Sequence, residues 1–478
     1  MNRELDKIRS DFLKAKKDHL PISITRSSSA SNTLRRGLYK NGTATLDLSP
    51  LNRLLNLNRE DSTALIEPGL TMVSFFKKLE SQGFMPKVLP EFKGITVGGA
   101  INGAAIESSS HRFGQFNNTC QSYRVLTGDG EIQNLSKINK EDLFYAISGS
   151  YGSLGLVLNA TIEVEKIKPF VELSYHRFNS LDKALDFFKK ASLDGEVDYL
   201  EGLVFSLDNT LIATAKLKVK RNSNLPLLSL KPYHSPWFYQ HLHERSQDQV
   251  EREEMRLEDY LFRHDRAAFW MGGYALNSKI LSRYILELVK LKAERTSLSK
   301  VEKGFDPMTK APFWFRALFG WMMGSSRLYR FLHQDTEEWF ANYFCIQDYY
   351  LPFSKTEEFI AHILKEHKII PLWLCPVKKA ERKELFSPHY QPGHEEKLLV
   401  DVGVYGMAKG TLTGREIVKD LDRLCIMKGG KKMLYSYSFL TEDEFWSIYS
   451  KKDYNSLREK YQAKESFVDI QKKVLERG

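Results

Sequence analysis

The sequence predicts an α+β protein of two domains, and its length and residue patterning carry that prediction. The chain has 478 residues, of which 42% are hydrophobic and 27% charged, so its composition is globular but its length exceeds one small core. In the first third, strands and helices follow one another without strict βαβ repetition. We expect a first domain over residues 1–168, a second over 169–440, and a helical segment over 441–478 that packs back on the first.

Each element of the first third follows from local spacing. Strands are predicted at "PISIT", "TATLDLS" and "LVLNATIEVEKI", and "SYRVLTGDGEIQNLS" is typical of two strands around a Gly-Asp-Gly turn. Helical spacing places Met72, Phe75, Phe76 and Leu79 on one face of "TMVSFFKKLESQG", and "EDLFYAISG" predicts a second helix.

The middle of the chain alternates strands with amphipathic helices. Strands are predicted at "YLEGLVFSL", "KLLVDVGVYG" and "KKMLYSYSF", and a charged, mostly helical stretch is expected over residues 251–303. The tail after residue 440 is helical and basic. This organisation suits a second domain in which helices cover a sheet.

Composition excludes several classes of protein. The net charge of +10 is compatible with nucleic acid, an acidic membrane face or phosphate-bearing ligands. No arginine-rich tract or nucleic-acid-binding motif accompanies it, so no nucleic-acid partner is expected. Four scattered cysteines without a CxxC pair indicate a reducing compartment. The charged first twenty residues lack a secretory signal and no apolar run reaches membrane-spanning length, so we expect a cytoplasmic protein that is not secreted.

Standard nucleotide, metal and hydrolase motifs are missing. "GSYGSLG" has the wrong glycine spacing for a dinucleotide fingerprint and precedes a strand, whereas the fingerprint precedes a helix. "GGKKML" lacks the Ser or Thr of a P-loop, and no G-x-S-x-G elbow occurs. "HLHE" has no accompanying metal-ligand cluster, so no metal is expected.

The stretch "TVGGAINGAAIESSSHRFG" (residues 96–114) has too little apolar area to build a core. Its glycines let something approach the backbone closely. With the later loop "SGSYGSLGLV", it can bring main-chain N–H groups to the oxygens of a large anionic cofactor. The alternative is a pair of glycine-rich turns without a ligand.

Two further features are candidates for function. Asp401 and Tyr405 alternate on a predicted strand, and a buried carboxylate there needs a partner. The aromatic segment "PFWFRALFGWMMGSSRLYRFL" carries Arg316, Arg327 and Arg330. It is either a buried helix of the second domain or a surface that touches a membrane or a lipid-like substrate.

Two long runs identify a family. "VLPEFKGITVGGAINGAAIESSSHRFGQFNNTCQSYRVLTGDGEI" and "EDLFYAISGSYGSLGLVLNATIEV" resemble the FAD-binding domain of the vanillyl-alcohol-oxidase (PCMH) type. More narrowly, the chain is similar to the FAD-dependent Δ24-sterol reductases, with "FRHDRAAFW", "PLWLCP" and "LVDVGVYG" extending the resemblance beyond that domain. The resemblance implies a PCMH-type FAD-binding domain followed by an α/β substrate cap.

The resemblance also implies the cofactor and its residues. FAD would be held noncovalently by the two glycine-rich loops, with the polar loop over residues 26–33 at the pyrophosphate. The implied cofactor-binding residues are Gly98, Gly99, Gly103, Ala104, Ala105, Ile106, Glu107, Ser108, Ser109, Ser110, His111, Arg112, Phe113, Gly114, Gln115, Phe116, Gly152, Ser153, Leu154 and Gly155.

The implied reaction is reduction of an isolated side-chain double bond in a sterol-like lipid, with NADPH as reductant. An unactivated alkene accepts hydride poorly, so a protein acid must deliver a proton in step. The candidates are Asp401, Tyr405, Tyr435 and Tyr437. Such a lipid is nearly insoluble, so peripheral contact with a membrane is expected. The alternatives are an FAD-dependent oxidase or dehydrogenase of a hydroxylated lipid or sugar, and a non-catalytic lipid-binding protein of the same fold.

Overall fold

The computed structural model describes residues 3–25, 34, 37–288, 305–332 and 337–475. The polar loop 26–33, expected at a pyrophosphate, lies outside this range, as do residues 289–303 of the charged stretch. The strands are β1 Ile22–Thr25, β2 Ala44–Asp47, β3 Leu54–Asn58, β4 Thr63–Ile66, β5 Phe84–Pro86, β6 Cys120–Leu126, β7 Ile132–Ser136, β8 Leu156–Lys166, β9 Phe170–Phe178, β10 Tyr199–Ser206, β11 Asn209–Lys218, β12 Leu227–Leu228, β13 Arg252–Arg256, β14 Phe344–Pro352, β15 Leu372–Lys378, β16 Leu398–Met407 and β17 Lys431–Lys432. The α-helices are α1 Arg3–Lys17, α2 Met72–Glu80, α3 Val97–Asn102, α4 Ser110–Phe113, α5 Glu141–Ile147, α6 Leu181–Ser192, α7 Phe238–Arg245, α8 Leu257–Leu261, α9 Ser278–Leu288, α10 Phe313–Phe319, α11 Ser325–Leu332, α12 Glu337–Tyr343, α13 Phe353–His362, α14 Gly414–Met427, α15 Glu442–Ile448, α16 Lys451–Lys460, α17 Ala463–Ser466 and α18 Ile470–Val474. Helix and strand are mixed as the α+β prediction requires.

The first part of the chain forms a sheet of antiparallel pairs in the order β3-β4-β8-β6-β7, with β5 beside β8. The alternation in β8 buries Leu158, Ala160, Ile162 and Val164, as its sequence predicts. Helix α2 begins where the Thr71 hydroxyl caps the Ser74 amide and buries the predicted apolar face. Strand β8 ends at Lys166 and β9 begins a different sheet at Phe170, so the expected domain border at residue 168 falls in this connection.

The second sheet has the order β12-β13-β9-β11-β10-β15-β16-β14-β17 and is antiparallel except for the β12–β13 pair. Along β16, Val400, Val402 and Val404 join an apolar core with α6, α13 and α14. The intervening side chains of β16, which include Tyr405, point to the opposite face, in the core shared with the first sheet. Because side chains alternate along the strand, Asp401 and Tyr405 face the first domain and not the layer formed by helices α6, α13 and α14.

Two predicted elements differ in the structure. "KKMLYSYSF" is a strand only at Lys431–Lys432, because Ser436 and the residues beyond it bond to strand β14 through side chains instead of a ladder. The stretch after residue 251 begins with β13 rather than a helix, because Arg252–Arg256 pairs with β9. In both segments tertiary pairing overrides local propensity.

Helices α16, α17 and α18 each bond to loops of the first part of the chain. The Arg458 guanidinium donates to the Ser153 carbonyl at 2.9 Å, and the Ser466 hydroxyl donates to the Gly128 carbonyl at 2.7 Å. Lys473 Nζ donates to the Tyr151 carbonyl, also at 2.9 Å. The tail therefore braces the loop that carries the second glycine-rich motif.

Candidate active site

A cavity of about 520 Å³ lies between the glycine-rich segments of the first domain and the second sheet. This volume falls within the usual range for ligand and cofactor sites. Its first wall is backbone-rich and includes Gly98, Gly99 and Asn102. Its second wall is largely aromatic and is formed by Phe269, Tyr329, Trp373, Tyr405 and Tyr435. The cavity thus combines a surface that a large ligand can approach closely with an apolar one.

Asn102 joins the two glycine-rich loops of the first wall. Its Nδ2 donates to the Gly98 carbonyl at 2.9 Å, and its Oδ1 accepts the Gly152 amide at 3.0 Å. Gly152 has a φ of +71°, in the left-handed region that side chains disfavour. One amide side chain therefore fixes the relative position of both loops.

One end of the cavity is cationic. Lys40 and Lys473 contribute to its lining, next to the turn at Tyr151 and Gly152. Lys473 Nζ also lies 3.2 Å from the Gly152 carbonyl. Lysine ammonium groups beside a glycine turn are suited to binding a diphosphate.

The cavity wall also carries part of an acid cluster that spans strands β14 and β16. Asp348 of β14 pairs in register with Gly403 of β16, and the Tyr405 hydroxyl donates to Asp348 Oδ1. A Cβ at position 403 would lie 2.6 Å from that hydroxyl. Only glycine at 403 leaves Tyr405 room to lie across the strand and reach Asp348.

Burial sets the protonation of this cluster. It raises the pKa of Asp348 to about 6, although hydrogen bonds from Tyr405 and Tyr435 lower it. Burial, followed by the charge of Asp348, raises the pKa of Asp401 well above its ordinary value. Burial and the Asp348 charge also raise the pKa values of Tyr405 and Tyr435. At neutral pH, Asp401 and both hydroxyls therefore keep their protons.

Glu91 is a further carboxyl in the cavity wall. Its side chain is buried, and its Oε1 has no hydrogen-bond partner among the described residues. Arg263 Nη2 is 3.8 Å away, and burial nevertheless raises the pKa of Glu91 well above its ordinary value. A neutral carboxylic acid here can donate a hydrogen bond into the cavity. A buried oxygen without a hydrogen-bond partner indicates that a polar ligand binds beside it.

Residues 107–116 connect the domains instead of lining the cavity. Ser108 Oγ accepts from Arg263 Nη2 at 3.0 Å, and Arg112 forms an ion pair with Asp198. The two ring nitrogens of His111 each lie 3.0 Å from a carbonyl, those of Ser108 and Val197. The polar character of this segment therefore serves contacts with the second sheet.

The comparisons with known proteins give a domain match and several full-length matches. The FAD binding domain family matches residues 10–136. The human (Homo sapiens) Delta(24)-sterol reductase is 28% identical over 446 residues, covering 92% of this chain and 80% of that protein. The chain is thus similar to Delta(24)-sterol reductases over most of its length. The Arabidopsis thaliana member of this family is 28% identical over 458 residues, covering 89% of this chain and 75% of its own length.

A shorter match is found outside this family. The decaprenylphosphoryl-beta-D-ribose oxidase of Mycolicibacterium smegmatis is 32% identical over 124 residues, which cover 26% of this chain and 27% of that enzyme. The resemblance of the sequence to flavin-dependent oxidoreductases of the Delta(24)-sterol reductase family is thus confirmed, as is the FAD-binding domain.

The cavity fits FAD. Its glycine-lined wall admits a close approach of the ligand, its lysines suit a diphosphate, and Glu91 offers an unsatisfied polar oxygen. The wall contains part of the cofactor set that the resemblance implied, namely Gly98, Gly99, Gly103, Ala105, Ile106, Gly152 and Gly155. Ala104, Ser153, Leu154 and residues 107–116 are absent from the cavity lining.

The four proton-donor candidates occupy different positions. Tyr405 and Tyr435 line the cavity, and Asp401 lies next to Asp348 but not in the lining. Tyr437 stacks on Phe439 at a centroid distance of 6.2 Å, outside the lining. Asp348 was not among the residues predicted from the sequence, although "FCIQDYYLP" offers the signal used for Asp401, a lone carboxylate in an apolar strand.

We expect Asn102→Ala to weaken flavin binding about tenfold or more, because two hydrogen bonds of about 1 kcal/mol each no longer hold the loops together. The measurement is the dissociation constant of FAD by fluorescence, with Asn139→Ala in an exposed turn as control. Unchanged affinity in the variant would show that the loops keep their positions without Asn102.

Acid precipitation of the wild-type protein should release the yellow flavin into the supernatant. Both ring nitrogens of His111 lie beside carbonyl oxygens, so we do not expect this residue to be attached covalently to the flavin.

Proposed function

We propose that the chain reduces an isolated carbon–carbon double bond in the side chain of a sterol-like lipid, with FAD as resident cofactor and NADPH as reductant. One observation carries the proposal: an aromatic cavity pairs a glycine-rich cofactor wall with a buried cluster in which Asp401 and Tyr405 keep their protons at neutral pH. The similarity over 92% of the chain to a Delta(24)-sterol reductase supports the same substrate class. NADPH rests on the family resemblance alone.

Bound FAD supplies the hydride chemistry. The protein supplies the proton, and Tyr405 Oη is the group to which we assign it. The hydroxyl lies in the cavity wall and is hydrogen-bonded to Asp348, which can return a proton to the phenol oxygen after transfer. Asp401, neutral and adjacent, keeps a further proton within the cluster. Phe269 packs against both Tyr405 and Trp373, and these rings exclude water from the alkene.

An oxidase of a hydroxylated lipid or sugar is the second candidate. It is favoured by the local match to the decaprenylphosphoryl-beta-D-ribose oxidase. An alcohol oxidase needs a group that takes up a proton; Asp401, Glu91 and Tyr405 are held in protonated form, which leaves Asp348, whose pKa is about 6, for that role. The similarity to a Delta(24)-sterol reductase over 92% of the chain favours the reductase.

We further propose that helix α10 and the turn after it contact the surface of an anionic membrane. Phe313, Trp314, Leu318 and Trp321 form a patch whose side chains are between 47% and 63% exposed. Within the described residues, every helix is too short or too polar to cross a bilayer. Aromatic side chains suit the membrane interface, and the patch offers them without a spanning segment.

Position and charge both support this contact. Arg327 lies over the Trp321 ring at 4.9 Å and, like Arg330, is exposed, so cations accompany the aromatic side chains. Helix α11 follows the patch directly and contributes Leu328 and Tyr329 to the cavity wall. A lipid leaving the bilayer at the patch would therefore have only a short path to the cavity.

The activity is tested by following flavin absorbance without oxygen. NADPH should bleach the bound flavin, and a sterol with a side-chain Δ24 double bond should restore the absorbance, whereas the matched saturated sterol should not. Bleaching by a hydroxylated lipid, with reoxidation by oxygen, would instead indicate the oxidase. A flavin that no donor reduces would indicate a binding protein.

The acid cluster predicts the pH dependence of turnover. Since Asp348 has a raised pKa of about 6 and acts in its protonated form, the rate should fall as pH rises through about 6. Asp348→Asn should abolish this decrease of the rate with rising pH.

Tyr405→Phe should lower turnover about 10²- to 10⁴-fold without slowing flavin reduction by NADPH. Tyr437→Phe is the control, and equal losses in the two tyrosine variants would contradict the assignment.

Flotation with liposomes tests the membrane patch. Binding should increase with anionic lipid and fall at high salt, because salt screens the attraction between lipid and Arg327 or Arg330. The double variant Trp314→Ser and Trp321→Ser should lose most binding and retain its flavin. Replacement of the exposed Leu193 by Ser, on another surface, should leave binding unchanged. Wild-type protein that ignores every liposome composition would exclude the contact.

A further inference from the structure

Two histidines and an aspartate meet on the outer side of the second sheet, away from the cavity. His362 ends helix α13, His367 ends the turn that follows it, and Asp420 belongs to α14. His362 Nε2 and His367 Nε2 each lie 2.7 Å from Asp420 Oδ2. The three atoms that could ligate an ion lie within 4.8 Å of one another.

An unusual backbone turn produces this arrangement. In an α-helix, side chains five positions apart point in different directions, so His362 and His367 would diverge. Residues Ile363–His367 instead form a π-helical turn, closed by a bond from the Lys368 amide to the Ile363 carbonyl at 2.8 Å. The wider turn brings the imidazoles to a centroid separation of 5.3 Å. Such turns are frequent at functional sites.

We propose that His362, His367 and Asp420 bind a divalent transition-metal ion of the zinc class. Two imidazole nitrogens and one carboxylate oxygen are a typical donor set for this ion, with the remaining position left for water. At metal–ligand distances of about 2.1 Å, tetrahedral ligand atoms lie about 3.4 Å apart. The present separations of 2.7 Å between the histidine nitrogens and the Asp420 oxygen need to open by about 0.7 Å to reach this distance.

The exposure of the cluster agrees with this assignment. The Asp420 side chain is 47% exposed and that of His367 only 3%, so an ion can enter from solvent while one ligand is fixed by packing.

The expected affinity is moderate. His367 Nδ1 is buried and has no hydrogen-bond partner within the described parts of the chain. A metal-ligating histidine normally donates its second N–H to an acceptor, and losing that partner weakens binding about 10- to 100-fold. We therefore expect a dissociation constant in the micromolar range.

The ion would link α13 to α14. Both helices pack against β14, and α13 also packs against β16, the strands that carry Asp348 and Tyr405. The site touches neither the cavity nor its lining residues, so the inference does not depend on the proposed reaction. Its effect would be to stabilise the helix layer behind the acid cluster, as any ligand specific to the folded state does.

The test uses tag-free protein with its flavin, stripped of metal by EDTA. Isothermal titration with Zn²⁺ should reveal one saturable site, and Co²⁺ should give the difference spectrum of a tetrahedral nitrogen–oxygen site. His362→Ala and Asp420→Asn should each weaken Zn²⁺ binding at least tenfold. His19→Asn, which removes an exposed histidine elsewhere, should bind like the wild type.

Thermal unfolding separates this site from adventitious binding. Zn²⁺ should raise the midpoint of the wild type and of His19→Asn but not that of His362→Ala. Wild-type protein without saturable Zn²⁺ binding would overturn the proposal, as would equal affinity in wild type, His362→Ala and Asp420→Asn. Flavin content, measured in each sample, reports whether a variant has kept its fold.

Discussion

The buried ion pair between Arg263 and Glu201 determines how the two sheets meet, and the cavity depends on that meeting. Arg263 Nε donates to Glu201 Oε1 at 2.7 Å, while Nη2 reaches Ser108 of the first domain. Glu201 Oε2 accepts from His264 at 2.8 Å and from Trp373 at 2.9 Å. Removing one member of such a pair typically costs about 3–5 kcal/mol, because the other charge stays buried. The second wall is thus positioned by electrostatics as well as by apolar packing.

The same burial gives neighbouring carboxyl groups opposite properties. Burial raises the pKa of Glu201, but Arg263 and His264 outweigh it and hold that pKa far below its usual range. Glu91 and Asp401 are equally buried, yet lack comparable cationic partners, so their pKa values rise. One carboxylate can therefore hold the domains together while others remain neutral acids. Partners, rather than burial, decide which role each takes.

Structural features that depend on residues close together in the sequence could be predicted, whereas features that depend on residues far apart in the sequence could not. The apolar faces of α2 and β8 follow from spacing alone, and both are present in the structure. The register that sets Asp348 opposite Gly403 joins segments more than fifty residues apart, so no local pattern contains it. The π-turn that brings His362 and His367 together likewise violates the spacing on which helix prediction relies. Small and polar residues suit both a ligand and a domain contact, so the sequence of residues 107–116 did not reveal their contacts with the second domain.

The C-terminal tail has a consequence for biogenesis. Ile22 of β1 pairs with Phe467, and Lys473 bonds to the turn at Tyr151 and Gly152, so the first and last segments of the chain meet at the cationic end of the cavity. A ribosome delivers the chain from its N-terminus, and the glycine-rich loops emerge hundreds of residues before the lysine that braces them. The cationic end of the cavity is therefore completed only once Lys473 has been synthesised, long after the glycine-rich loops.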